Sequence, residues 1–278
     1  MSCHSLKILI ICSMTPRKIT TQVQLLSLIG NRAHFNNSKE PFAVTVAGSR
    51  LYILTNPKHV AETYKNTSTL SFEEFVRDMM RTSGSSEFVI KKMYETPDPA
   101  KAIFPNPHNK PLAKMAKDLH VHQLYAGKPL DVLRGEFYSF FGDSMKLKHM
   151  AQFDYTISSA PNEVVLPLYI WTSDVIISAG QDAYFGPLLA EVAPCLTWDF
   201  LEFDDLTWQL LYQYPKFLAK KMYSARDRVI MGLEKYFEET QARRGVKSWF
   251  TPVMENEMRN LEFDTREVAI MMMTIYWG

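Results

Sequence analysis

A few side chains in this chain are of the types that do chemistry, and their spacing limits what they can do. His120 and His122 stand two apart in KDLHVHQLY. On a strand that spacing would put both imidazoles on one face, where they could hold a metal. The surrounding pattern is helical, and no cysteine or carboxylate stands at ligand spacing, so metal binding is not expected. Asp204 and Asp205 are adjacent carboxylates. Adjacent residues on a helix point apart, which suits a solvated helix end rather than an acid/base pair. The cysteines are Cys3, Cys12 and Cys195. Their odd number and lack of C-x-x-C spacing fit neither a disulfide framework nor a zinc or redox motif. Such usage suits a reducing compartment. The phosphate loop G-x-x-x-x-G-K, the zinc motif H-E-x-x-H and the nucleophile elbow G-x-S-x-G are all absent.

The elements that must position these residues belong to an ordinary globular chain. It has 278 residues, 46% hydrophobic and 22% charged, enough for one large domain or two smaller ones. Its 31 basic and 30 acidic residues nearly cancel, which argues against a nucleic-acid partner. The run SLKILIICSM near the N-terminus is shorter than the roughly 20 residues a membrane span needs. It has no clear cleavage site, and a strand or ragged helix is expected there. No transmembrane anchor is read in the chain.

Strand character is concentrated in PFAVTVAGSRLYILTNP, where Phe42–Ala47 and Leu51–Thr55 read as a hairpin turning at Gly48, Ser49 and Arg50. Asn56 and Pro57 then suit the cap and first turn of a helix carrying Val60, Ala61 and Tyr64. Residues 94–111 hold five prolines and read as a long loop. Beyond them the pattern is helical. Leu130, Leu133, Phe137, Phe140, Phe141 and Met145 recur at helical steps. LYIWTSDVIISAGQDAYFG is more uniformly apolar and closes at Gly186. A long amphipathic helix carries the stripe Leu218, Met222, Ala225, Val229, Leu233 and Tyr236. A shorter helix follows Ser248. Asp264 and Glu267 stand in capping-box spacing before a last helix that has no charged residue from Val268 to Trp277. A helix apolar all round must be covered all round, and this one is expected to want neighbours beyond those in the chain. The fold class expected is mainly α with a small N-terminal β-hairpin.

The ordered series resembles a known family. SKEPFAVTVAGSRLYILTNPKHVAETYKNTSTLSFEEFVRDMM is similar to the N-terminal hairpin and helices of a cytochrome P-450, a heme-thiolate monooxygenase. FDDLTWQLLYQYPKFLAKKMYSARDRVIMGLEKYF resembles the family's helix pair over the substrate cavity, and TREVAIMMMTIYWG the start of its central helix. The series resembles particularly fungal members akin to the prostacyclin synthase and sterol 7α-hydroxylase branch. The resemblance implies a partial cytochrome P-450 fold over residues 36–278, truncated within the central long helix, behind an atypical segment 1–35. It implies heme b, an apolar lipid- or sterol-like substrate and a cytochrome P-450 reductase in the intact parent. It also implies the cytoplasmic face of the endoplasmic reticulum membrane.

Departures from the family pattern bear on activity. The heme-ligand loop F-x-x-G-x-x-x-C-x-G and the propionate-helix motif W-x-x-x-R are absent. Lys110 and Lys114 stand where that motif would be, and either could supply the positive charge or be an ordinary solvated lysine. Glu74 and Arg77 spell E-x-x-R, too early in the chain for the family's ion-pair motif. Cys195 reads as a loop or helix-end thiol. Substrate walls are expected from a loop around Phe72–Met80, from 200–214 and from 270–276, with Phe72, Phe75, Met79, Met273 and Tyr276 as contacts. The expectation is an N-terminal portion that is inactive by itself and binds no heme stably. The rival is a non-enzymatic helical protein that binds an apolar ligand or a partner.

Overall fold

The computed structural model describes residues 7–10, 39–46, 49–66, 69–98, 104–211, 214 and 216–277. It is mainly helical with two small sheets. The chain divides into two units, Met1–Asp78 and Met79–Gly278.

In the first unit, strands β1 (Lys7–Ile10), β2 (Phe42–Val46) and β3 (Ser49–Leu54) form a sheet in the order β1-β3-β2. β2 and β3 are antiparallel, with Phe42 opposite Ile53 and Val46 opposite Ser49. The turn is therefore tighter than expected. Ser49 and Arg50 pair within β3, leaving a two-residue connection, Ala47 and Gly48, outside the described residues. Two-residue loops are favoured because their backbone twist matches that of the flanking strands. β1 runs parallel to β3, so Lys7–Ile10 of the early apolar run is a strand; the rest of the run lies outside the described residues. Helix α1 (Pro57–Lys65) starts as expected: Asn56 accepts a hydrogen bond from the Lys58 amide at 3.0 Å, and Pro57 opens the first turn. Its apolar stripe is not a core face. No residue of α1 is buried and Tyr64 is exposed, because a nine-residue helix leaning on β3 has little surface to press against.

Helix α2 (Glu73–Ser83) contains the division between the units. It corrects the expected loop around Phe72–Met80. Ser71 accepts from the Glu73 amide at 3.1 Å, and Glu73 and Glu74 place negative charge at the positive end of the helix dipole. Arg77 bonds mainly to Glu73 at 2.8 Å, while Glu74 is 3.9 Å away.

The second unit carries α3 (Glu87–Tyr94), α4 (Leu112–Leu124), α5 (Lys128–Ser144), α6 (Leu147–Met150) and the small hairpin β4 (Ser158–Ala160) and β5 (Glu163–Val165). Then come α7 (Leu168–Phe185), α8 (Leu188–Val192), α9 (Leu196–Leu206), α10 (Trp208–Leu211) and α11 (Lys220–Glu238). The last are α12 (Gln241–Arg244), α13 (Phe250–Asn260) and α14 (Thr265–Trp277). The core is built on α11. Met222, Ala225, Val229, Leu233 and Tyr236 are all buried, as the amphipathic pattern requires; Leu218 lies before the helix and is exposed. α11 is sandwiched between α9 and α14. Gly232 permits the first approach: a Cβ there would lie 3.0 Å from Leu196 and 3.1 Å from Ala193. Fully burying each large apolar side chain stabilises by about 1.5–3 kcal/mol.

α14 is covered more completely than its sequence suggested. Val268 through Met273, six consecutive residues, are all buried by the chain's own elements. Its start is the expected capping box: Asp264 accepts from the Glu267 amide at 2.7 Å, and Glu267 accepts from the Asp264 amide at 3.1 Å. Arg266 pairs with Glu234 of α11 at 2.9 Å. Near the end of α11, Arg244 is buried over the rings of Tyr236 and Phe237 and pairs with buried Glu255 at 2.7 Å. Removing one partner of such a pair costs about 3–5 kcal/mol, because the other charge stays buried.

Candidate functional site

The C-terminal end of α7 organises an apolar cleft. A helix end leaves its last carbonyls without intrahelical donors. Here two other helices supply them. The Tyr236 hydroxyl of α11 donates to the Phe185 carbonyl at 2.6 Å, and the Thr251 hydroxyl of α13 donates to the Tyr184 carbonyl at 2.6 Å. Gly186 then reverses the chain at φ 78°, a left-handed value that glycine adopts without strain. Across the cleft, fully buried Gln123 of α4 donates to the Pro129 carbonyl at 2.8 Å and accepts from the Phe250 amide at 3.0 Å. One side chain thus fixes α4, the start of α5 and the start of α13.

These ties frame a cavity of about 440 Å³ between α4, α7, α13 and α14. Its walls are His120, Leu124, Gly180, Tyr184, Phe185, Phe250, Thr251, Met272 and Ile275. The His120 ring stacks on Phe250 with centroids 4.1 Å apart, and Tyr184 meets Phe250 edge-on at 6.1 Å. Burial holds the His120 imidazole below its ordinary pKa and pushes the Tyr184 phenol up, so both are neutral at pH 7. Gly180 opens the floor, since a Cβ there would meet nothing within 4 Å. The cavity has largely apolar walls with three neutral polar side chains, His120, Tyr184 and Thr251, and no charged acid/base pair. Its chemistry is that of holding an apolar molecule.

Only part of this site was expected from sequence: Met272 and Ile275 fall in the expected wall 270–276, while the other lining residues were not expected as walls. The signal available was local: His120 and Leu124, and Gly180 and Tyr184, lie one turn apart on their helices. Nothing local says that those two turns face each other. His122, the other member of the H-x-H pair, packs away against Trp249 at 4.2 Å and Phe104 at 5.5 Å. Among the described residues no three histidine, cysteine or carboxylate side chains cluster to hold a metal.

The expected substrate contacts are distributed differently. Phe72 and Phe75, in the first unit, pack on each other at 4.9 Å, with Phe72 exposed. Met79 and Met273, in the second, are both buried, while Met272 and Ile275 of α14 line the cavity. The Tyr276 side chain lies outside the described residues.

Lys110 precedes α4 and is fixed by Asn106, which accepts from its amide at 2.9 Å and donates to its carbonyl at 2.8 Å. Its ammonium pairs with Asp118 at 2.6 Å. It lines a recess of about 240 Å³ with Lys92 and the carboxylates of Glu95, Asp98, Glu257 and Glu262. Lys114 is exposed on the first turn of α4.

These residues do not suit an iron porphyrin. Its propionates would meet four carboxylates in the Lys110 recess. A thiolate ligand must reach iron from within a cavity. Cys195 is exposed at the start of α9, and Cys3 and Cys12 lie outside the described residues.

No protein-family model matches the chain. A curated relative, the cytochrome P-450 monooxygenase poxD of Penicillium oxalicum, is 25% identical over 226 residues, covering 78% of this chain and 41% of the relative. The chain is thus distantly related to a fungal monooxygenase of this kind and spans less than half of its length. Among the described residues no helix is long and apolar enough to cross a membrane.

Proposed function

We propose that the chain supplies the N-terminal part of a cytochrome P-450 monooxygenase fold, with residues 36–278 forming the walls that hold an apolar, lipid- or sterol-like substrate. The observation that carries this reading is the 25% identity sustained over 78% of the chain. The ordered series of hairpin, helix pair and apolar α14 supports it. In this reading the whole protein binds heme b, takes electrons from a reductase at the cytoplasmic face of the endoplasmic reticulum, and belongs near the prostacyclin synthase and sterol 7α-hydroxylase branch. When bound, the heme supplies oxygen activation. The described residues shape and dry the substrate side, and the iron ligand comes from outside them. The chain alone is therefore inactive. Purified chain mixed with hemin, reduced and exposed to carbon monoxide gives no thiolate-type Soret band. Such a band, lost in Cys195→Ser, would overturn the assignment of the ligand to residues outside the described set.

The cavity of about 440 Å³ favours a second reading, a helical protein that binds an apolar ligand without catalysis. Saturable binding of an apolar fluorescent dye, abolished by Gly180→Phe at unchanged thermal stability, would support it. Dye binding indifferent to that substitution would remove it.

A further inference from the structure

Of the three polar side chains on the cavity between α4, α7, α13 and α14, one has its bond made within the protein. The Thr251 hydroxyl is spent on the Tyr184 carbonyl at 2.6 Å. The His120 imidazole and the Tyr184 hydroxyl, both half-buried, make no hydrogen bond to a described residue. Polar groups withdrawn from solvent normally have a partner, so two without one on a single cavity point to a partner from outside. Both rings rest on Phe250, His120 stacked at 4.1 Å and Tyr184 edge-on at 6.1 Å, and so belong to the same end of the cavity.

The remaining walls carry no charge. Leu124, Phe185, Met272 and Ile275 are apolar, and Gly180 leaves the floor open. The space is built rather than left over. Gln123 joins α4 to the start of α13, and the Tyr236 and Thr251 hydroxyls hold the end of α7. An ionised ligand would enter without a counter-charge, which burial penalises strongly. A plain hydrocarbon would leave both polar groups unmet. A hydroxyl answers both conditions, since it donates to a bare imidazole nitrogen and accepts from a phenol. Burial favours the neutral form of each ring, which matches a neutral ligand.

We propose that this cavity is a binding site for a neutral aliphatic alcohol, with its chain along Leu124, Met272 and Ile275 and its hydroxyl between the His120 imidazole and the Tyr184 hydroxyl. The volume of about 440 Å³ lies within the roughly 300–1,000 Å³ of small-molecule sites. The inference deepens the second reading above and rests on it.

The test is displacement of a neutral apolar dye, Nile red, from the full chain at pH 8 by decan-1-ol, decane and decanoate. The wild type binds decanol about tenfold more tightly than decane. It binds decanoate at least about tenfold more weakly than decanol. His120→Phe and Tyr184→Phe each lower decanol affinity about fivefold to tenfold, toward that of decane, and their binding of decane shows that the cavity survives. Gly180→Phe weakens all three ligands. Equal wild-type affinity for decanol and decane, with both lost in Gly180→Phe, would overturn the alcohol assignment and leave the apolar-ligand reading standing. Decanoate binding as tightly as decanol would do the same. Failure of the wild type to bind the dye or any of the three would overturn both.

Discussion

α7 and α14 look alike as sequence, since each is a long apolar stretch with few charges, yet they end in opposite environments. In α14 the six residues from Val268 to Met273 are all buried. In α7, Trp171, Val175 and Ala179 are buried, while Leu168, Tyr169, Ile170 and Ile176 are exposed. The difference lies in the partners. α14 packs broadly on α11 and is also met by α13, Ser85 and Ser86; Ser85 donates to the Met271 sulfur at 3.6 Å and Ser86 to Glu267 at 3.0 Å. α7 packs chiefly on α5, with smaller contributions from α8, α9 and α13. Apolar composition states that a helix can be buried. Only the three-dimensional arrangement decides whether it is.

The comparison can be broken by matched substitutions. Val268→Asp places an unpaired charge in the covered helix and costs at least about 3–5 kcal/mol, enough to unfold many domains. Ile176→Asp on the open side of α7 changes stability by less than about 0.5 kcal/mol. Urea midpoints compare the two, and equal losses would show that α7 is as enclosed as α14. Smaller effects sharpen the view of the end of α7. Gly186→Ala costs about 1–2 kcal/mol, because φ is 78° and a Cβ would stand 3.0 Å from the Arg244 carbonyl. Gly180→Ala, one and a half turns earlier, stabilises by about 0.4–1 kcal/mol, since its Cβ meets open space. Thermal melts of the two variants should move in opposite directions. The smallest effect is electrostatic. Burial lowers the His120 pKa below its ordinary 6.5, so the unfolded chain binds the proton more readily. Stability is then full above pH 6.5 and is lost as pH falls through the folded value. His120→Leu removes this slope from the pH dependence of the melting temperature, and an unchanged slope would put its origin elsewhere.

Features set by neighbours in sequence were legible before any coordinates. The Asp264–Glu267 capping box, the Asn56 cap, the Gly186 stop and the stripe from Met222 to Tyr236 depend on spacings of two to four residues, and each is where it was expected. Features set by distant packing were not. Tyr64 and Leu218 continue apolar patterns yet are exposed, because a pattern cannot announce that its partner is missing. The shift of Ser49 and Arg50 into β3 is a register choice of the hairpin as a whole. The cavity brings together turns of four helices through Gln123, Thr251 and Tyr236, whose bonds span 6 to 127 residues. Met273, expected as a contact through the family resemblance, is buried, and Met272 and Ile275 of the same expected segment line the cavity.

The account turns on α14 being an inner element enclosed by this chain, since both functional readings use it as a wall. Amide hydrogen exchange of the purified chain tests this directly. The account predicts that amides of 268–273 exchange only through global unfolding, with the same protection as the buried turns of α11 around Val229 and Leu233. Exchange of that segment as fast as the exposed turn at 216–218, while α11 stays protected, would contradict it.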